Sequence, residues 1–286
     1  MRLRLLLLAP FSVLLMLPAS FADEKSDPAT QQHPHELLLS TLWVRTSGEY
    51  YASAVQAYRT AQFRLDEGLK DPEWTADPNQ KNPYTLPPAV ILDLDETVID
   101  NSGFEVSMIE GNSQFTPALW TAWVNQSAAT AIPGALDFIR YAHSRGVRIF
   151  YVTNRKAHEE EATRVNLKRL GIPLDDTTDE ILTRGEQPDW TSDKATRRRI
   201  LSKEYRTLLY IGDNMNDFVS GVRVTPQARM KIAAKHKERW GKQWIVIPNP
   251  IYGTWEQSLY DFNYKLSYAD KVKRKHHYLN APEVRP

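Results

Sequence analysis

The sequence lacks three features that would each narrow its chemistry. It has no cysteine among 286 residues, which excludes disulfide bridges and a lipid-modified cysteine behind a leader. It has no excess of one charge, with 36 lysines and arginines against 35 aspartates and glutamates. The net charge therefore gives no reason to expect binding to a nucleic-acid polymer. It also lacks a long apolar run, since even residues 5–17 fall short of the roughly 20 residues of a membrane-spanning helix.

The N-terminus has the pattern of an export signal. Arg2 and Arg4 precede the apolar stretch, and Ser20-Phe21-Ala22 supplies small residues at a cleavage site. We therefore expect residues 1–22 to be a signal peptide that is cleaved after Ala22. The mature protein is then expected to be periplasmic or secreted and not bound to a membrane. An uncleaved N-terminal anchor is the alternative interpretation.

Composition divides the rest of the chain into further parts. Prolines and polar residues are typical of a flexible start and of a linker at 70–88, and basic residues dominate the C-terminal end. The predicted parts are a flexible mature N-terminus at 23–35, a helical segment with its linker at 36–88, a core at 89–268 with a helical insert around 103–130, and a solvated basic tail at 269–286.

Within the core, short apolar runs typical of buried strands alternate with helical segments. The strands are predicted at 90–92, 148–152, 180–182, 207–211 and 244–247, and the helices after the insert at 158–170, 193–204 and 225–241. This alternation indicates a parallel sheet with right-handed crossovers. The predicted fold class is α/β: a Rossmann-like parallel sheet flanked by helices, with a small helical accessory domain.

Two of these strands end in clustered carboxylates. Asp93 and Asp95 close the first apolar run, and Asp213 and Asp217 follow the run at 208–211. Ligands of open parallel sheets gather beyond the carboxyl ends of the strands, so the two clusters are expected to face each other. Hard cations prefer oxygen ligands. We predict a Mg²⁺ site formed by these four aspartates, with Asp95 contributing its backbone carbonyl.

The same edge holds the groups that phosphoryl transfer requires. Asp93 is expected to attack phosphorus and form an aspartyl-phosphate. Asp95 is expected to protonate the leaving oxygen and later to activate water. Thr153 and Asn154 end another predicted strand, and they offer hydrogen-bond donors to the oxygens of a phosphate.

A cation must also reach the phosphate. Lys194, at the start of a predicted helix, is the preferred candidate for this catalytic role. Arg155, Arg197 and Arg198 compete for it, but each is more typical of a surface charge.

Four motifs in a fixed order carry a family resemblance. They are Asp93-Leu94-Asp95-Glu96-Thr97, Val152-Thr153-Asn154-Arg155, Lys194 and Gly212-Asp213-Asn214-x-x-Asp217. Further matches are Trp120-Thr121-x-Trp123-Val124, Pro133-Gly134-Ala135 and Asn249-Pro250-x-Tyr252-Gly253-x-Trp255-Glu256. Over about residues 42–266 the sequence resembles the class C, four-aspartate bacterial acid phosphatases of the haloacid dehalogenase superfamily, which include lipoprotein e.

The resemblance implies a Mg²⁺-dependent phosphomonoesterase that prefers nucleoside 5′-monophosphates. It assigns the nucleophile to Asp93 and the acid/base to Asp95. It also assigns Trp120 and Tyr252 to the ring of the substrate, which agrees with the tolerance of aromatic stacking for different bases. A homodimer is a further expectation from the family.

Three departures from the family pattern bear on specificity and location. Phe104 stands where tyrosine is common, Met215 replaces a leucine, and the lipid-attachment cysteine is absent. Substrate preference therefore stays open between nucleotides and the alternatives, which are broad hydrolysis of sugar or aryl phosphates and phosphoryl transfer to other acceptors. A non-catalytic surface binding protein is a third hypothesis, although such a protein could lose Asp93 without penalty.

Overall fold

The computed structural model describes residues 35–279 of the chain. The predicted signal peptide and residues 23–34 lie outside the described residues, as does the end of the basic tail. The strands are β1 (Pro88–Leu92), β2 (Ile99–Asp100), β3 (Thr130–Ala131), β4 (Arg148–Lys156), β5 (Ile181–Arg184), β6 (Arg206–Gly212) and β7 (Trp244–Val246). The helices are α1 (Leu38–Thr46), α2 (Gly48–Lys70), α3 (Ser102–Glu110), α4 (Pro117–Val124), α5 (Ala135–Ser144), α6 (Glu160–Arg169), α7 (Ala195–Glu204), α8 (Pro226–Lys235), α9 (Thr254–Ser258) and α10 (Tyr268–Leu279).

A parallel sheet of five strands, in the order β5-β4-β1-β6-β7, forms the centre of the described residues. In the middle of the sheet, Val90 of β1 lies opposite Ile149 of β4 and Leu209 of β6. Every residue of β6 is buried, and residues 208–211 form a continuous apolar run, as expected for a parallel strand with both faces covered. The predicted α/β class with a parallel, helix-flanked sheet is therefore confirmed.

Helix α2, in the segment predicted to be helical, covers one face of the sheet with an apolar stripe. Ala54, Tyr58 and Leu65 recur at helical spacing and are buried. The Tyr58 ring lies 5.7 Å from the ring of Phe138 on α5. Gly134, before α5, has φ +86°, and a Cβ there would lie 3.1 Å from Tyr58 Cβ. Glycine is needed at this position for both reasons, so the Pro-Gly start of α5 allows the two helices to approach closely.

One predicted segment differs from the structure. The helix predicted over 225–241 ends at Lys235, because the chain turns back and the indole Nε1 of Trp240 donates to Ala233 O at 2.9 Å. The described part of the basic tail forms helix α10, in which no residue is buried. Lys275 Nζ ties that helix to Glu36 Oε2 at 2.9 Å and to Glu256 Oε1 at 2.6 Å.

Helices α3 and α4 occupy the stretch predicted as a helical insert, between the short strands β2 and β3. β2 and β3 pair antiparallel as a separate two-stranded sheet. Phe104 of α3 is buried and packs edge-on against Trp120 of α4, with ring centroids 5.3 Å apart. None of the helices in residues 35–279 is both long and apolar enough to cross a bilayer.

Candidate active site

Three aspartates from two neighbouring strand ends converge. Asp93 follows β1 and Asp213 follows β6, and the Asp93 amide donates to Ile211 O at 2.9 Å. Asp217 lies on a 3₁₀ turn that follows β6. Carboxylate oxygens of all three lie within 4.8 Å of one another. The two acidic clusters therefore face each other beyond the carboxyl edge of the sheet, where open α/β folds bind ligands.

The Gly212-Asp213-Asn214 sequence brings Asp217 back to the strand end. A Cβ on Gly212 would overlap the Asp217 side chain, so only glycine leaves room for it. The Asn214 amide donates to Asp217 Oδ2 at 2.8 Å and so closes the turn. This bond leaves Asp217 Oδ1 facing the other site residues.

Lys194 joins the nucleophile candidate to the turn. It is 3% exposed and precedes helix α7. Its Nζ donates to Asp217 Oδ1 at 2.6 Å and also to Asp93 Oδ1. Burial alone would lower the pKa of Lys194, but the charges of Asp217 and Asp93 raise it. The lysine therefore stays protonated between the two carboxylates.

The expectation that the three competing arginines are surface charges is wrong, because all three are buried. Arg155, Arg197 and Arg198 are 1%, 0% and 6% exposed. Arg197 Nη2 donates to Asn154 Oδ1 at 3.1 Å, and its Nη1 to Thr153 O. Arg197 thus supports the strand end that carries Thr153 and Asn154.

Arg155 holds Asp95. Its Nη2 lies 2.9 Å and its Nε 3.0 Å from Asp95 Oδ1, and Asn101 Nδ2 donates to the same oxygen at 2.9 Å. Asp95 Oδ2 faces Thr153 Oγ1 at 3.5 Å. Because three N–H groups surround Oδ1, a proton carried by Asp95 belongs on Oδ2.

Asp213 has a different set of neighbours. Asn249 Nδ2 donates to its Oδ2 at 2.8 Å, and Thr97 Oγ1 lies 3.5 Å from its Oδ1. The Tyr58 hydroxyl of α2 donates to Thr97 O at 2.6 Å and fixes that loop. Sequence reasoning assigned no site role to Asn249 or Thr97. Asn249 was nevertheless detectable, because it follows strand β7 as the aspartates follow β1 and β6.

Burial leaves this cluster with uncompensated negative charge. Burial raises the pKa of Asp93 to about 7; the positive charge of Lys194 opposes this rise, and the negative charge of Asp217 adds to it. Burial, with the charges of Asp217 and Asp93, also raises the pKa of Asp213 well above its usual value. One lysine cannot neutralise three carboxylates, of which Asp93 and Asp217 are buried and Asp213 is half-buried. A divalent cation bound to their oxygens would, so the donor set fits a hard metal ion.

The two predicted ring-binding residues neighbour different residues of the candidate site. Trp120 is half-buried, and the Cζ of Arg155, the partner of Asp95, lies 5.7 Å from its ring centroid. Tyr252 is half-buried against the main core. Tyr252 precedes Gly253, where a Cβ would lie 2.9 Å from Asn214 Nδ2. Trp120 is thus linked to Asp95, and Tyr252 to the loop of Asp213.

Comparisons with known proteins agree with this geometry. Residues 28–255 match the family described as HAD superfamily, subfamily IIIB (Acid phosphatase). The chain belongs to this acid phosphatase family. It is 36% identical to the class C acid phosphatase from Bacillus anthracis, over 86% of this chain and 98% of that chain, with a TM-score of 0.75. The structure of that enzyme with tungstate bound gives the same identity and coverage and a TM-score of 0.76.

Membership of this family decides between the classes of function. Acid phosphatases of the HAD superfamily are phosphomonoester hydrolases that use a divalent metal. The predicted resemblance and the prediction of an enzyme are therefore confirmed, and the hypothesis of a non-catalytic binding protein is wrong. The aspartate cluster is the group of residues in the described chain that could hold the metal.

Proposed function

We propose that this phosphatase is exported and hydrolyses nucleoside 5′-monophosphates with Mg²⁺, through an aspartyl-phosphate on Asp93. The observation that carries the proposal is the contact of Lys194 with both Asp93 and Asp217, beside Asp213. This arrangement offers a nucleophile, a fixed cation and a set of metal ligands within one buried cluster. The relative that binds tungstate, a tetrahedral oxyanion like phosphate, supports an oxyanion site here.

In the first step, an Asp93 oxygen attacks phosphorus. The new O–P bond forms as the ester P–O bond breaks, and the departing alkoxide takes a proton from Asp95. Asp93 Oδ2 is suited to attack, because Lys194 occupies Oδ1. Asp95 Oδ2 is suited to give the proton, because Arg155 and Asn101 occupy its Oδ1.

In the second step, water attacks the phosphorus of the aspartyl-phosphate. Asp95, now ionised, takes the proton of the water as the acyl-phosphate P–O bond breaks. Inorganic phosphate leaves, and Asp93 returns as a carboxylate with Asp95 protonated. The pair is then ready for another turnover.

Phosphate binding follows from the same residues. Lys194 offers a buried positive charge, and Thr153 and Asn154 offer donors from the end of β4. Asp93, Asp213, Asp217 and the Asp95 carbonyl would hold Mg²⁺. When bound, the ion neutralises charge on the phosphate oxygens. Its ligand set is small, as expected for an ion that retains several waters.

Trp120 and Tyr252 support a nucleotide as substrate. A flat base can contact the face of either ring without base-specific hydrogen bonds. The same rings admit an aryl phosphate, so aryl or sugar phosphates are the alternative substrates, and transfer to a second acceptor is an alternative reaction. Phe104 packs against Trp120 and contributes no hydroxyl, which weakens any preference that depends on a polar contact there.

A release assay tests the reaction and the substrate class together. Phosphate release from AMP, glucose 6-phosphate and p-nitrophenyl phosphate is measured at mildly acid pH with Mg²⁺, with EDTA and with Asp93→Asn. We expect turnover that requires the metal, is fastest on AMP and is lost in the variant. Equal rates on the three substrates would refute the nucleotide preference. Turnover by the variant would refute Asp93 as the nucleophile.

We also propose a homodimer, supported by apolar side chains that helix α1 exposes. Leu39 and Leu42 are 80% and 45% exposed, and Leu38 is also exposed. Contact with a second copy would remove this surface from water. Light scattering behind size-exclusion chromatography should give twice the chain mass, and Leu39→Glu with Leu42→Glu should give the chain mass. A wild-type monomer would contradict the proposal.

A further inference from the structure

A second cavity lies outside the candidate active site. It has a volume of about 830 Å³ and is bounded by α7, by the segment at 77–86 and by the residues that follow Asp217. None of the predicted catalytic, metal-binding or substrate-binding residues lines it. Its volume is in the range of sites that bind small molecules, roughly 300–1,000 Å³.

The lining of this cavity is strongly basic. Lys81, Arg198, Arg199 and Lys203 contribute to it, and Asp77 is the single acid among the lining residues. The whole chain is nearly neutral, with 36 basic and 35 acidic residues, so the excess is local. All of these cations except Arg198 are exposed and can reach an occupant without disturbing the core.

Arg198 is the member of this set that most needs a partner. It is 6% exposed, yet within residues 35–279 no carboxylate lies at ion-pair distance from its guanidinium. Its Nη1 donates to Asn216 O at 2.7 Å, and its Cζ lies 5.7 Å from the centroid of the Tyr210 ring. These contacts use one of the five N–H donors of a guanidinium.

A buried cation is normally paired with an acid, because burial without one costs free energy. Burial accordingly lowers the pKa of Arg198. The bond to Asn216 gives this arginine a structural role, but a carbonyl carries no full charge to balance it. The charges of Asp217, Asp193 and Asp77 oppose the effect of burial without overcoming it. An anion in the cavity would supply a charge in direct contact with the guanidinium.

We propose that this cavity is a second binding site, for a small anion that carries phosphate groups. Guanidinium and ammonium groups are the usual protein ligands of phosphate. Four cations around one space suit an occupant with several negative charges. The site adjoins the turn of Asp217 through Asn216 but is separate from the cluster around Lys194, and the proposal does not depend on the catalysed reaction.

Calorimetric titration of the full-length mature protein with inorganic tripolyphosphate tests the proposal. The titration is run in EDTA and in about 0.15 M salt, where exposed charges more than about 8 Å apart are screened. The test variant is Arg199→Gln with Lys203→Gln, since both residues are exposed and line the cavity. The control is Arg140→Gln with Lys168→Gln, two exposed cations on α5 and α6 that do not line it.

The dissociation constant should rise by at least about tenfold in the test variant, as loss of two charge-assisted contacts would produce. It should not change in the control, which removes the same net charge. Equal affinity in both variants would place tripolyphosphate elsewhere and overturn the proposal, as would no binding to the wild type. A parallel titration with ATP shows whether an organic group adds affinity. The proposal requires that the test variant also lose at least about tenfold in affinity for ATP. Equal melting temperatures check that the variants fold.

Discussion

The contact between Arg155 and Asp95 predicts that Arg155 controls the transfer of a proton from Asp95 to the leaving group. Arg155→Met removes both guanidinium bonds to Asp95 Oδ1 and leaves only the Asn101 amide there. Removing one partner of a buried ion pair costs about 3–5 kcal/mol. The Asp95 side chain is 16% exposed, so water replaces part of the lost contact, and we expect about 3 kcal/mol of stability to be lost.

The larger effect should be on proton transfer. General acid catalysis contributes about 10²–10⁴-fold to a rate, and a misdirected Asp95 should lose at least about 10²-fold of it. The leaving group of AMP is the adenosine alkoxide, which needs the proton, whereas p-nitrophenolate leaves without one. Because kcat/KM reports only the steps up to formation of the aspartyl-phosphate, it should fall by about 10²-fold on AMP and much less on p-nitrophenyl phosphate.

A matched control on the same strand is available for this experiment. Arg148 pairs with Asp175 at 2.8 Å and with Glu180 at 3.1 Å, away from the site. Arg148→Met should lower the melting temperature while kcat/KM on both substrates stays near the wild-type value. An equal fall on AMP and p-nitrophenyl phosphate in Arg155→Met would refute the reasoning, since Arg155 would then support the fold without directing Asp95.

Three further predictions concern the buried charges and the glycine. Burial raises the pKa of Asp93 from 3.8 to about 7 and the pKa of Glu105 from 4.5 to about 8. In EDTA, the stability that these two carboxyls contribute is therefore complete below about pH 4 and is lost as the pH rises to about 8. Melting temperatures should fall between pH 5 and 8, and less steeply in Glu105→Gln; a flat profile would contradict this prediction. Lys194→Met should lower kcat by at least about 10²-fold, and a wild-type kcat would exclude its role. Gly212→Ala should displace Asp217, costing about 1–3 kcal/mol and abolishing phosphate release; retained activity would show that the turn adapts.

Those parts of the fold that depend on local sequence were predictable. The strands β1, β4 and β6 were found because they are apolar runs that end in polar residues, and the end of each run indicated a site residue. The convergence of Asp93 with Asp213 followed from the rule that parallel strands share a carboxyl edge. No contact had to be known in advance.

The burial of the arginines was not predictable in this way. Arg155 and Asp95 are 60 positions apart in the chain, and Arg197 reaches Thr153 across 44 positions. An arginine in a polar sequence segment is indistinguishable from a surface charge until its partner is known, because burial of a cation depends on that partner. The end of α8 has a different cause, because the indole of Trp240 bonds to Ala233 O only seven positions away in the chain.

These long-range contacts give two carboxylates two residues apart the different surroundings that their proposed roles require. Asp93 meets Lys194 from the start of α7, which occupies one oxygen and leaves the other for the proposed attack on phosphorus. Asp95 meets Arg155 from β4, which occupies one oxygen and leaves the other for the proposed transfer of a proton. Because the two cations come from different elements, each carboxylate is oriented independently of the other. The division of roles therefore depends on the packing of β4 and α7 beside β1, and a change that moves either element should affect one role more than the other.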